Sequence, residues 1–143
     1  MSTHNPLLNI GDSCFLELIA IDPAAPAPSR KRWIGLDDPT LIARLADSPR
    51  GVGWVVRTDT LERVVAGSPV QLGAPKAMSR GTRSWRLTVP DAGGMPYAGL
   101  VPAFIEWSPG PHLPNRCSSS GRSWTASRCG IRRPTSFATC CRR

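Results

Sequence analysis

Arg86 follows Trp85 directly and Arg83 by three residues in the run Arg83-Ser84-Trp85-Arg86-Leu87-Thr88-Val89. That run alternates polar and apolar with period two, so as a strand it turns Arg86 to the face opposite Trp85. A guanidinium so placed can hold a carboxylate or phosphate of a small ligand. The plainer role, an exposed arginine that solubilises a sheet face, is the default. Two carboxylates stand in otherwise apolar strand-like runs, Glu17 in FLELIA and Glu106 in FIEW. As residues alone, both read best as partly buried acids paired with nearby arginines or facing a solvated cleft. Trp33, Trp54, Trp85 and Trp107 can line a pocket, but large aromatics more often fill cores. His4 and His112 have no metal-ligating neighbour at useful spacing. Gly93-Gly94 makes a turn, because no GxGxxG or Walker pattern surrounds it.

The elements that must position these residues are short. Leu7–Ile10 and Cys14–Ile21, joined through Gly11-Asp12-Ser13, read as a β-hairpin over residues 5–21. Its second strand is apolar on both faces except at Glu17, which implies a sheet covered on one side and cupped on the other. Cys14 there reads as a small core hydrophobe. Residues 22–32, DPAAPAPSRKR, form an extended loop, since proline removes donors and restricts its neighbours. Asp38 and Pro39 open a short helix bearing Leu41, Ile42 and Leu45, which ends by Pro49. A strand over residues 52–56 precedes a second helix, opened by a capping box of Asp59 with Glu62. Strands over residues 83–89 and 100–107 follow, the latter placed at an edge or bulge by Pro102. Residues 52–107 thus predict a β-α-β-β arrangement in one mixed sheet.

Composition separates the chain into two parts. Of 143 residues, 15 are proline and 13 glycine, which favours loops over long elements. The net charge of +8 belongs to one end: residues 1–112 hold eleven Lys/Arg against ten Asp/Glu, and residues 113–143 hold seven arginines and no acid. The same end contains Cys117, Cys129, Cys140 and Cys141, with no CxxC pair to suggest zinc. Periodicity stops at Leu113, and the composition beyond it predicts a disordered tail. No signal peptide is visible and no apolar run approaches the roughly 18 residues of a membrane span, so the expected compartment is the cytoplasm.

Several blocks together resemble a known family. THNPLLNIGDSCFLELIAIDP, RKRWIGLDD, GVGWVVRTDTLERVVA, APKAMSRGTRSWRLTVP and GLVPAFIEWSPGPH are similar, in order, to blocks of the glyoxalase-like domain of the vicinal-oxygen-chelate superfamily. The resemblance covers residues 3–112. It implies an α+β fold, an incomplete pair of βαβββ modules lacking the strand and helix that family members place ahead of the THN block. Residues 1–112 are then a partial glyoxalase-like domain and residues 113–143 a basic tail. Read one frame over in GC-rich codons, Ser123–Cys141 permits a strand-like start, a His-Pro break and a helical apolar repeat. A shifted frame would therefore account for the tail's charge, cysteines and lost periodicity together.

The resemblance also implies chemistry. Glu17 matches a strand position where metal-dependent members place a carboxylate ligand, and Glu106 is its counterpart in the second module. A divalent cation there would polarise a substrate oxygen, as in lyases and dioxygenases of this superfamily. The remaining ligands usually come from the first strand of each module. The first module's strand is missing, and Val52-Gly53-Trp54 offers the second no His or carboxylate. With Glu17, Glu106, Arg86 and Trp107 as candidate pocket residues, the expected function is small-molecule binding with little or no turnover. A metal-free ligand-binding module is the alternative, and by analogy of fold a homodimer is allowed. A nucleic-acid binder built on the basic tail is a third reading. It is disfavoured because only Trp124 and Phe137 interleave the arginines and no nucleic-acid motif is present.

Overall fold

The computed structural model describes residues 2–11 and 14–110. These fall into two compact units, one of residues 4–20 and one of residues 21–110 with residues 2 and 3. The expected disordered tail, His112 and the tail cysteines lie outside the described residues.

In the smaller unit, β2 (Leu7–Gly11) and β3 (Cys14–Glu17) pair antiparallel, with Leu7 opposite Glu17 and Leu8 opposite Leu16. The hairpin forms as its apolar runs predict, and its register slips between Asn9 and Gly11, where Asn9 Oδ1 accepts from Gly11 N at 2.9 Å. Asp12 and Ser13 of the predicted turn lie outside the described residues. Cys14 is exposed, not the core hydrophobe expected, because it only opens β3 opposite Gly11. Leu16 and Leu18 are exposed as well. Two further two-residue strands, β1 (Thr3–His4) and β4 (Ala20–Ile21), pair with each other.

The larger unit begins with a single 3-10 turn at Trp33–Gly35 and then α1 (Pro39–Asp47). Asp38 caps α1 as its type predicts, its carboxylate accepting from Thr40 N at 2.8 Å, with Pro39 in the first turn. There follow β5 (Val55–Arg57), α2 (Leu61–Gly67), β6 (Pro75–Arg80), β7 (Arg83–Thr88) and β8 (Ala103–Trp107). Their sheet order is β5-β8-β7-β6, with β5 parallel to β8 and the other neighbours antiparallel. This is one βαβββ module with all four strands, so the fold is α+β, mixed sheets with two short helices.

The module has one strand more than the β-α-β-β expected. Pro75-Lys76-Ala77-Met78-Ser79-Arg80 carries little strand propensity, and it is a strand because β7 templates it as an edge. Pro75 is its first residue, where a missing donor costs least. The β6–β7 hairpin turns through Gly81-Thr82, with Gly81 at φ 60° as such tight connections require. Pro102 does not put β8 at an edge. β8 is an inner strand, and Pro102 lies just ahead of it, so the ladder begins at Ala103, whose N–H donates to Trp54 O at 3.0 Å.

The core gathers Leu87, Val89 and Ala103, with Trp33, Met78, Trp85, Met95 and Ile105 packed against them. Leu61 at the start of α2 is fully buried. The connection Val89–Met95 is held close at two points. Gly93 has φ 80° and approaches Arg32 O so nearly that only glycine fits, and its carbonyl accepts from Gly35 N at 2.9 Å. No helix among the described residues is long and apolar enough to cross a membrane.

Candidate functional site

The site is built on the β7–β8 ladder. Its register sets Trp85 opposite Trp107 and Arg86 opposite Glu106. Side chains alternate along each strand, so the two pairs lie on opposite faces. The indoles meet at a centroid distance of 5.2 Å with planes tilted by 45°. Such tilted pairs avoid the unfavourable face-to-face stack of two ring quadrupoles.

Arg86 is clamped between two carboxylates. Its Nε donates to Glu106 Oε2 at 2.9 Å, and its Nη2 donates to the same oxygen. From α2, Glu62 receives Nη1 on Oε1 and Nη2 on Oε2, the latter at 3.1 Å. Glu106 Oε1 is occupied as well, accepting the backbone N–H of Leu61 at 3.3 Å. Both oxygens of Glu106 are therefore spent on the protein's own donors. The electrostatics follow the bonds. Hydrogen bonds to Glu106 first, and to Glu62 second, raise the Arg86 guanidinium above its ordinary pKa. The Arg86 hydrogen bond, then Glu62's own backbone N–H, holds the Glu62 carboxyl below the usual range.

The predicted capping box does not form. Thr60, not Asp59, takes the N-cap position of α2, without a side-chain bond. Glu62 turns to Arg86 instead, and Glu106 from β8 supplies the acceptor that the exposed helix N-terminus needs. A bond to a guanidinium outweighs a local bond to an amide, because a fully charged pair is the stronger.

Arg86, Glu106 and Trp107 line a cleft of about 370 Å³ together with Asp59, Ser108 and Pro109. Ser108 is tied to β7 through its backbone N–H, which donates to Ser84 O at 3.1 Å, and a hydroxyl pair with Ser84 at 2.7 Å. Three of the four residues expected from the sequence thus meet in one place. Glu17 belongs to the smaller unit, where Asn5 Nδ2 donates to its Oε1 at 2.7 Å. Of the other tryptophans, Trp33 packs on the core, and Trp54 is exposed with its Nε1 donating to Leu100 O at 3.1 Å. Asp59 and Glu62 escaped attention as site residues because their i, i+3 spacing already had a local explanation.

The donor set does not fit a divalent cation. Hard cations need six or more oxygen ligands, several of them from carboxylates. Here the carboxylate of Glu106 on β8 already accepts from Arg86 on one oxygen and from Leu61 N on the other. Among the described residues no three His, Cys, Asp or Glu side chains are grouped so as to hold a metal ion. The positive charge that faces Glu106 is the Arg86 guanidinium.

Residues 1–133 match the family model of a glyoxalase-like domain. No curated protein and no solved structure matches the chain.

Proposed function

Because this chain belongs to the glyoxalase-like domain family, we propose that its βαβββ module binds a small organic molecule in the Arg86–Trp107 cleft, and does so without a resident metal ion. The observation that supports this is the commitment of Glu106. A metal that took that carboxylate in two-point fashion would compete with Arg86 for Oε2 and with Leu61 N for Oε1. The uncapped helix amide and the released guanidinium would then both want a partner, which makes the exchange unfavourable.

A cleft of about 370 Å³ is at the small end of ligand sites, room for one compact molecule. The chain's own residues divide the work. Pro109 offers an apolar wall, Ser108 a hydroxyl, Asp59 a carboxylate and Arg86 a planar fork of donors whose terminal edge Glu62 shares. These groups can hold and orient a ligand. Binding is therefore the reading put forward for the site. Family membership supplies the expectation of a small-molecule ligand, and the cytoplasm is the compartment we propose for it.

The test is a fragment screen by NMR on the full chain in the presence of a chelator, following the Ser108 backbone N–H and the Arg86 Nε–H. Fragments that shift both signals with the chelator present support the proposal. Shifts that appear only when a divalent ion is supplied would overturn it.

A further inference from the structure

We infer that Glu62 stands in the place of a ligand's carboxylate: the cleft takes a small monocarboxylic acid anchored on Arg86, and Glu62 is the internal competitor that the acid displaces. This deepens the small-molecule reading above and rests on it. The two carboxylates on Arg86 are unequal. Glu106 is 19% exposed in its side chain and is fixed at both oxygens, whereas Glu62 is 66% exposed and touches only Nη1 and Nη2. The Arg86 side chain is itself 41% exposed, so a ligand can reach the terminal edge that Glu62 occupies. That edge is a planar pair of donors that accepts any carboxylate in two-point fashion.

An exposed ion pair is screened by water and salt and contributes little to stability, so releasing Glu62 costs little. The exchange replaces one carboxylate by another, and the charge facing Arg86 does not change. Glu106 meanwhile keeps the guanidinium aimed. Two other lining residues narrow the ligand. Pro109, at the end of the β8 run, favours an apolar body beside the acid group. Asp59 has no hydrogen bond or ion pair among the described residues, so its charge stays unneutralised and repels a second acidic group.

The experiment is calorimetric titration of the full chain with benzoate and with benzamide, its neutral isostere. Benzoate is expected to bind the unmodified protein, with benzamide weaker by about tenfold or more, the value of charge-assisted hydrogen bonds. Glu62→Gln should raise benzoate affinity about threefold, the factor an exposed ion pair supplies, and leave benzamide unchanged. Arg86→Lys, which keeps the charge and loses the fork, should lower benzoate affinity without unfolding the chain, as circular dichroism would verify. If the two probes bind equally and Glu62→Gln alters neither, the acid inference fails while the small-molecule reading stands. If Glu62→Gln weakens benzoate, Glu62 is not a competitor. If neither probe binds either protein, both readings fall.

Discussion

Arg86 and Glu106 face each other across the β7–β8 ladder, Arg86 donating from Nε and Nη2 to a single carboxylate oxygen while the other oxygen of Glu106 caps α2 at Leu61 N. One side chain therefore ties together a sheet register, a helix start and the wall of a cleft. Substitutions in the layer beneath it should show how firmly that arrangement is seated.

Leu61 is the most direct probe of the layer. It is fully buried, and its backbone N–H is the group that Glu106 caps. Leu61→Ala should destabilise the protein by about 2–5 kcal/mol, the range for deleting a buried leucine and leaving part of a cavity. Urea denaturation followed by fluorescence measures it. A cost near zero would mean that α2 does not pack as described.

Two glycines with positive φ should behave differently. Gly73 has φ 82°, and a Cβ there would lie 2.4 Å from the carbonyl carbon and oxygen of Val89. Gly81 has φ 60°, with nothing within 4 Å of the same atom. Gly73→Ala should cost clearly more than the ~1 kcal/mol that left-handed backbone alone imposes on alanine, and Gly81→Ala should cost about that much. Equal losses in thermal melts of the two variants would contradict the close approach of residues 73 and 89.

Much of the module is legible in the sequence, for physical reasons that particular residues show. β7 announces itself by alternation, and α1 by Asp38-Pro39, because both signals act within a few residues. β6 does not, because Pro75-Lys76-Ala77 carries no strand preference of its own and depends on β7. The capping box misleads for a related reason. Asp59 and Glu62 satisfy a local rule, but Arg86, 24 residues further on, offers Glu62 a stronger partner. Arg86, Glu106 and Trp107 could be singled out as strand residues of unusual type. That Arg86 and Glu106 would consume each other depends on strand register, which spacing in the sequence does not encode.

Acid should weaken a second ion pair in a defined direction. Asp37 accepts from Arg32 N at 2.6 Å and from Arg32 Nη1 at 2.5 Å, and the backbone bond first, then the side-chain bond, holds its carboxyl below the ordinary value of 3.8. A depressed carboxyl pKa stabilises the fold above the unfolded value, and the contribution is lost as pH falls through the folded value. Asp37→Asn should therefore be less stable than the unmodified protein at neutral pH, by on the order of 1 kcal/mol for bonds to a partly exposed charge. The gap should close progressively below the ordinary value of 3.8. A gap that persists unchanged into strong acid would show that the Asp37 charge does not contribute.

We propose that Glu106 serves Arg86 and α2 in preference to a metal. Elemental analysis after dialysis of the full chain against zinc and manganese, followed by metal-free buffer, tests it most directly. Well under one equivalent of metal should be retained, equal within error in the unmodified protein, Glu17→Gln and Glu106→Gln. One retained equivalent that disappears in Glu106→Gln would contradict it.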